Sequence, residues 1–255
     1  RNEPPMSESP TTHSSLPVAW IIGATSGIGH ALATRLAPTT QLVVSARSAD
    51  RLGTTADALA AWAIPMDATQ PDTVQQALTQ IIATYGRIDY VVLAVGSILL
   101  KSAHRTSLDE WHATITQNLH AAFYVTRAVT EKMQRQADGG AILLFSTAAA
   151  QIGFANHEAI AAAKAGVEGL ARATAASYAA RNIRVNVIAP GLVDTTMALP
   201  ITRNPTALEA SRQLHPLGRI GTAADVAHIA EAVLTSTWMT GQVVVVDGGL
   251  AGIKK

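Results

Sequence analysis

A chain of 255 residues that is 48% hydrophobic can bury one large core, and a single α/β domain accounts for it better than two small ones. A formal net charge of +1, with no cluster of lysine and arginine, argues against a general nucleic-acid surface. The absence of cysteine excludes disulfides, thiolate catalysis and thiolate metal sites.

Residues 1–15 are rich in Pro, Ser and Thr and lack the apolar stretch of a secretory signal. They read as a disordered tail or an expression remnant, with Met6 a candidate native start. Residues 16–255 read as one domain. No apolar run reaches the ~18–20 residues that span a bilayer, so no membrane association is expected and the cytoplasm is the expected compartment. Short apolar runs then alternate with helical patterns. The predicted strands are Val18–Ile22, Gln41–Ala46, Ala63–Met66, Tyr90–Ala94, Ala141–Ser146, Arg184–Ala189 and Gln242–Val246. Their apolar character is nearly continuous, as in parallel strands covered on both faces. Helices are predicted near Gly27–Ala37, Pro71–Tyr85, Ser107–Gln136, Glu158–Arg181 and Ala223–Leu234. The pattern is that of a Rossmann-type doubly wound parallel sheet of about seven strands, with ligands bound at the strands' carboxyl ends. Residues 193–221, with Pro200, Pro205 and Pro216, are too long for a simple connection and read as a substrate-loop insertion.

The first strand runs into Gly23-Ala24-Thr25-Ser26-Gly27-Ile28-Gly29 and then directly into a helix. Glycines there let the backbone turn sharply and approach a pyrophosphate, while the helix N-terminus supplies free N–H groups and a positive dipole. An ordinary strand-to-helix turn also favours glycine, but the place of this one in the first βα unit points to a dinucleotide. The second strand ends in Ala46-Arg47, without the carboxylate that holds an NAD ribose 2′-hydroxyl. Arg47 can instead pair with a 2′-phosphate, which favours NADP(H) over NAD(H), or it is a solvated loop charge. Asp67-Ala68, after the third strand, can read an adenine edge, and Asp67 can also cap the helix near Pro71.

With these features in place, the chain resembles the short-chain dehydrogenase/reductases from Val18 to about Gly249. The likeness rests on the Gly23–Gly29 loop, Asp67, Asn118, Lys164, Arg184-Val185-Asn186, Pro190-Gly191, Thr195, and the ending Thr240-Gly241-Gln242 through Asp247-Gly248-Gly249. It implies cofactor contacts from the loop, Ala94, Gly96, Lys164, Pro190, Gly191, Val193 and Thr195, and a homotetramer or a homodimer. It also implies a Tyr-x-x-x-Lys pair in which the tyrosine exchanges the proton and the lysine holds the nicotinamide ribose. Here position 160 is isoleucine, in Ala159-Ile160-Ala161-Ala162-Ala163-Lys164. The family's positioning serine falls on Thr147, which keeps a hydroxyl, with Ser146 beside it, and Asn118 matches the asparagine that helps connect a water relay. Leu93-Ala94-Val95-Gly96 stands where Asn-Asn-Ala-Gly is usual.

Hydride transfer to a carbonyl builds an alkoxide that a nearby acid must neutralise. His157, Ile160 and Lys164 are spaced i, i+3, i+7 and share one helical stripe. His157 is therefore the first candidate for a substitute proton donor, since imidazole ordinarily titrates near neutrality. It reads equally as a pocket-lining or helix-capping side chain. His215, in the insertion, is a weaker candidate of the same kind. His157-Glu158 opens like a zinc-binding H-E-x-x-H helix, but position 161 is alanine, and no metal is expected. Two functions stay open. One is an NADP(H)-dependent oxidoreductase acting on a small carbonyl, alcohol or activated-alkene substrate with an atypical proton donor. The other is a catalytically silent NADP(H)-binding sensor or partner subunit. Halohydrin dehalogenases resemble the fold too, but they lose the glycine loop and keep the tyrosine, the opposite of this chain.

Overall fold

The apolar runs form the strands of one parallel sheet. The computed structural model describes residues 16–253; the expected N-terminal tail lies outside the described residues. The strands are β1 (Val18–Ile22), β2 (Gln41–Ser45), β3 (Trp62–Ala63), β4 (Tyr90–Leu93), β5 (Gly140–Phe145), β6 (Ile183–Pro190) and, last in the chain, β9 (Val243–Val246). They lie in the order β3-β2-β1-β4-β5-β6-β9, every pair parallel. The chain winds outward from β1 to β3 and then returns to β4 on the other side. That reversal opens a crevice at the carboxyl ends of β1 and β4.

The interior strands are buried on both faces, which explains why their sequences do not alternate. On one face α3 (Pro71–Tyr85), α5 (Ala121–Met133) and α6 (Glu158–Tyr178) pack Leu78, Val129 and Val167 against Trp20 and Val185. On the other, α1 (Gly27–Leu36), α2 (Ala49–Leu59) and α9 (Ala223–Thr235) bring Leu32, Leu52 and Val233 onto Ile21 and Leu143. The one polar atom of Trp20 is satisfied, its Nε1 donating to Ser45 Oγ at 2.8 Å. The sequence signature at the end of the chain is structural. Asn186 Nδ2 donates to Met239 O, Asn186 Oδ1 accepts from Gln242 N, and Thr240 Oγ1 accepts from Val185 N, pinning the β9 approach to β6.

Four segments differ from expectation. The strand expected at Ala63–Met66 is the shorter β3, although Ile64 N and Met66 N still donate to Val44 O and Ala46 O. Helix α2 is absent from the sequence pattern because Gly53, Thr54 and Thr55 weaken its intrinsic preference, and the burial of Leu52 and Ala56 sustains it. The single helix predicted over Ser107–Gln136 is broken into α4 (Leu108–Ile115), a π-helical turn at Thr116–His120, and α5. The insertion is not a plain loop. Short strands β7 (Val193–Asp194) and β8 (Gly221–Thr222) pair in parallel and close its base. Between them lie α7 (Leu199–Thr202) and α8 (Pro205–Leu214). Pro200 and Pro205 sit in the first turn of each helix, where a missing N–H costs nothing. Asn204 caps α8, its Oδ1 accepting from Thr206 N and Ala207 N. Among the described residues no helix is long and apolar enough to cross a membrane.

Candidate active site

The turn between β1 and α1 is crowded by backbone. Gly23 has φ +96°, and a Cβ there would stand 2.8 Å from Ala94 O. At Gly29, inside α1, a Cβ would stand 2.2 Å from Gly23 O. Glycine at both places lets the helix start press against the strand ends. Ser26 occupies the N-cap of α1 in an extended conformation and makes no side-chain cap, which leaves the first-turn amides available to an anion. Thr25, Gly27, Ile28, Arg47, Asp67, Ala68, Ala94, Gly96 and Thr195 join Gly23 and Ser26 around a cleft of about 320 Å³. Most of the cofactor contacts read from sequence are thus brought together, but Gly29, Lys164, Pro190, Gly191 and Val193 do not line this cleft. Arg51, in the first turn of α2, lines the same cleft and has no signal in the sequence, because its helix has none. Asp67 does not cap α3 directly. The N-cap is Gln70, and Asp67 Oδ1 accepts from Thr69 N and Thr69 Oγ1 in a turn just before it.

A second cleft, of about 730 Å³, continues from the first. The two share Ile28, Ala94, Val95, Gly96, Thr195 and Met197, so one groove crosses the carboxyl edge of the sheet. Its walls include Thr147 after β5, His157, Ile160 and Lys164 from α6, and Pro190, Gly191 and Val193 after β6. The first two turns of α6 and its N-cap therefore present the predicted stripe to one space. Asn118 is buried in the π-helical turn. It donates to Ser97 Oγ (3.1 Å) and Thr114 O (2.9 Å) and accepts from Ser97 N, which fixes the loop after β4. A Cβ at Gly96 would meet Asn118 Oδ1 at 2.7 Å and Lys164 Nζ at 3.3 Å.

Lys164 Nζ donates to Phe145 O at 2.9 Å. Burial without a carboxylate partner lowers its pKa from the ordinary 10.5 to about 8. The sign follows from linkage: the unfolded chain holds the proton more tightly, so the cost of burying the charge is fully present below pH 8 and is relieved as pH rises from 8 toward 10.5. At ~1.4 kcal/mol per pKa unit this cost is a few kcal/mol, offset in part by the bond to Phe145 O. Lys164→Met is expected to raise the melting temperature at pH 7, with the gain shrinking toward pH 10, as calorimetric melting at the two pH values would show.

The sequence of residues 23–251 matches the model of a family described as enoyl-(acyl carrier protein) reductase. The chain is 34% identical over 243 residues to a 3-oxoacyl-[acyl-carrier-protein] reductase of Thermotoga maritima, covering 91% of this chain and 97% of the relative. The chain belongs to the short-chain dehydrogenase/reductase family. Solved members of the same shape include a short-chain type dehydrogenase/reductase from Mycobacterium ulcerans, with a TM-score of 0.87, 28% identity, and coverage of 92% of this chain and 90% of that one. A second is an actinorhodin polyketide ketoreductase with NADPH, with a TM-score of 0.88, 25% identity, and coverage of 93% and 98%.

Within this short-chain reductase framework, position 160 offers an isoleucine that is 5% exposed. Thr147 is the cap of a short 3₁₀ turn; its Oγ1 accepts from Ala149 N at 3.3 Å, and its hydroxyl hydrogen stays available. Ser146 points elsewhere, donating to the buried Glu168 Oε1 at 2.7 Å. Glu168 also accepts from Gln151 Nε2, so it ties the loop after β5 to α6. Nothing in the sequence marks this glutamate, since an acid in an alanine-rich helix looks like a solvated one. His157 occupies the N-cap of α6 but makes no cap bond. Its Nδ1 meets Ala155 O at 2.9 Å and its ring lies 5.3 Å from that of Phe154. Glu158, in the first turn of α6, accepts from Ala103 N. His215 is not a free candidate. It is 3% exposed, its Nε2 accepts from Leu192 N and its Nδ1 bonds Ser211 O at 2.6 Å. Both nitrogens are taken by backbone, and the ring holds α8 to the end of β6.

Proposed function

We propose that this chain is an NADP(H)-dependent oxidoreductase that reduces a carbonyl, or oxidises the matching alcohol, with an atypical proton donor. The observation that carries this reading is the single groove that joins the uncapped start of α1, beside Arg47 and Arg51, to Lys164 and Thr147. The bound dinucleotide supplies or accepts the hydride. The first-turn amides of α1 hold its pyrophosphate. Arg47 and Arg51 take the 2′-phosphate; neither guanidinium has a hydrogen bond or ion pair among the described residues. Asp67 and Ala68 face the adenine, and Lys164 Nζ holds the nicotinamide ribose. Thr147 donates to the substrate oxygen, and Asn118 keeps the Ser97 loop in place behind it. With Nδ1 engaged on Ala155 O, His157 keeps Nε2 for proton exchange.

The reading includes a homotetramer, or a homodimer, supported by Leu108, Trp111 and Phe123, which α4 and α5 expose. Its direct test is NADPH consumption across a panel of ketones and enones. Ile160 favours one other reading, a silent NADP(H)-binding subunit, which the same assay would reveal as binding without turnover. The cofactor assignment has its own test. Replacing Arg47 and Arg51 together by alanine is expected to weaken NADPH about tenfold to a hundredfold while leaving NADH affinity unchanged. Equal losses for both dinucleotides in a fluorescence titration would refute it.

A further inference from the structure

We propose that the substrate of the larger cleft is an uncharged molecule with one carbonyl or hydroxyl group and an apolar body. This rests on the oxidoreductase reading and adds to it the class of compound that is turned over. Few polar groups along the wall are free to meet a ligand. Among the lining residues Lys164 is the one formal cation, and no aspartate, glutamate or arginine lines the space. The hydroxyl of Ser146 is given to Glu168, that of Ser211 to Ala207 O, and that of Thr195 to Val193 O. Ser97 Oγ accepts from Asn118, and His215 is bonded at both nitrogens. Asn156 is exposed at the rim. What remains to meet a ligand is Thr147, His157, Lys164 and the hydroxyl hydrogen of Ser97, which follows Gly96 beside Lys164 Nζ. These belong to one end, since Lys164 Nζ is anchored on Phe145 O two residues from Thr147, and His157 shares the Lys164 stripe of α6.

The rest of the wall is apolar. Leu100, Phe154, Met197, Ile201, Leu214 and Leu250 line the space, with the Phe154 ring 5.3 Å from that of His157. Ile160 extends the same character up to the reacting position. Leu100, Met197 and Leu214 remain 42%, 43% and 53% exposed, so a bound body covers side chains that otherwise face water. A carboxylate or phosphate placed there loses its hydration and finds no cation. Each hydroxyl of a polyol loses a water partner in the same way, weakening binding about tenfold apiece.

The test uses NADPH-saturated protein and one cyclohexanone ring carrying a propyl group, a methyl ester or a carboxylate opposite the carbonyl. Affinity is read by calorimetry and turnover by NADPH oxidation. The propyl and ester compounds are expected to bind, and to react, at least ~10-fold better than the carboxylate. Leu214→Arg, at the exposed end of α8, is expected to improve the carboxylate relative to the ester by about tenfold. A carboxylate that matches or exceeds the ester in the natural protein would overturn the proposal, as would failure of every compound to bind. Neutral ketones that bind without NADPH oxidation would uphold the apolar cleft and defeat the oxidoreductase reading. Turnover confined to the carboxylate would do the reverse.

Discussion

Replacing His157 with glutamine lowers kcat for ketone reduction by on the order of 10²-fold, and adding Ile160→Tyr to that variant recovers most of the loss. The size is that of general acid catalysis, typically ~10²–10⁴-fold. Glutamine keeps a polar side chain at the N-cap of α6 but cannot carry the proton. Tyrosine at position 160 stands one turn from Lys164, whose ammonium favours the phenolate, and its ring extends into a cleft of about 730 Å³. Single-turnover rates with NADPH separate this effect from changes in binding. Full activity in His157→Gln would remove the imidazole from the mechanism. No gain from tyrosine in either background would show that proton transfer does not limit the reaction.

Gly29→Ala abolishes dinucleotide binding and destabilises the fold. Its added Cβ would lie 2.2 Å from Gly23 O, and both are backbone-fixed between β1 and α1. The turn must open, which moves the first amides of α1 away from the phosphate position and disturbs Gly23 N, held on Ser45 O at 2.7 Å. An overpacking cost of at least ~1–3 kcal/mol and loss of NADPH uptake are expected together. Gly53→Ala provides the contrast. Nothing lies within 4 Å of its Cβ position, and alanine in α2 is expected to be neutral or stabilising. Thermal melts of the two variants, with and without NADPH, check both statements; a Gly29→Ala protein that melts and binds normally would contradict the account of the turn.

Sequence alone makes the sheet legible wherever a strand is covered on both faces, because a short, continuously apolar run such as Val18–Ile22, closed by a glycine turn, fits a buried parallel strand. The glycine loop, Lys164 and Thr147 are legible on separate grounds: the spacing of the motif survives the loss of its tyrosine. What escapes are features decided by packing at a distance. Helix α2 exists because Leu52 and Ala56 find the sheet, and with it goes any sign of Arg51. The prolines of the insertion suggest a loop, whereas Pro200 and Pro205 stand in the first turns of two helices that lie between β7 and β8. His215 reads as a donor in the insertion, whereas its ring is buried between Leu192 N and Ser211 O. The π-helical turn at Thr116–His120 has no marker in the sequence beyond Asn118 itself, whose bonds to Ser97 and Thr114 accompany it.

Every proposed role of the groove requires a reduced pyridine nucleotide to enter it in front of Ile160. Titrating the full chain with NADPH and with NADH in a calorimeter measures that directly. Saturable NADPH uptake, tighter than that of NADH and weakened when Arg47 and Arg51 are removed, is the predicted result. No heat of binding from either nucleotide at millimolar concentration would contradict it.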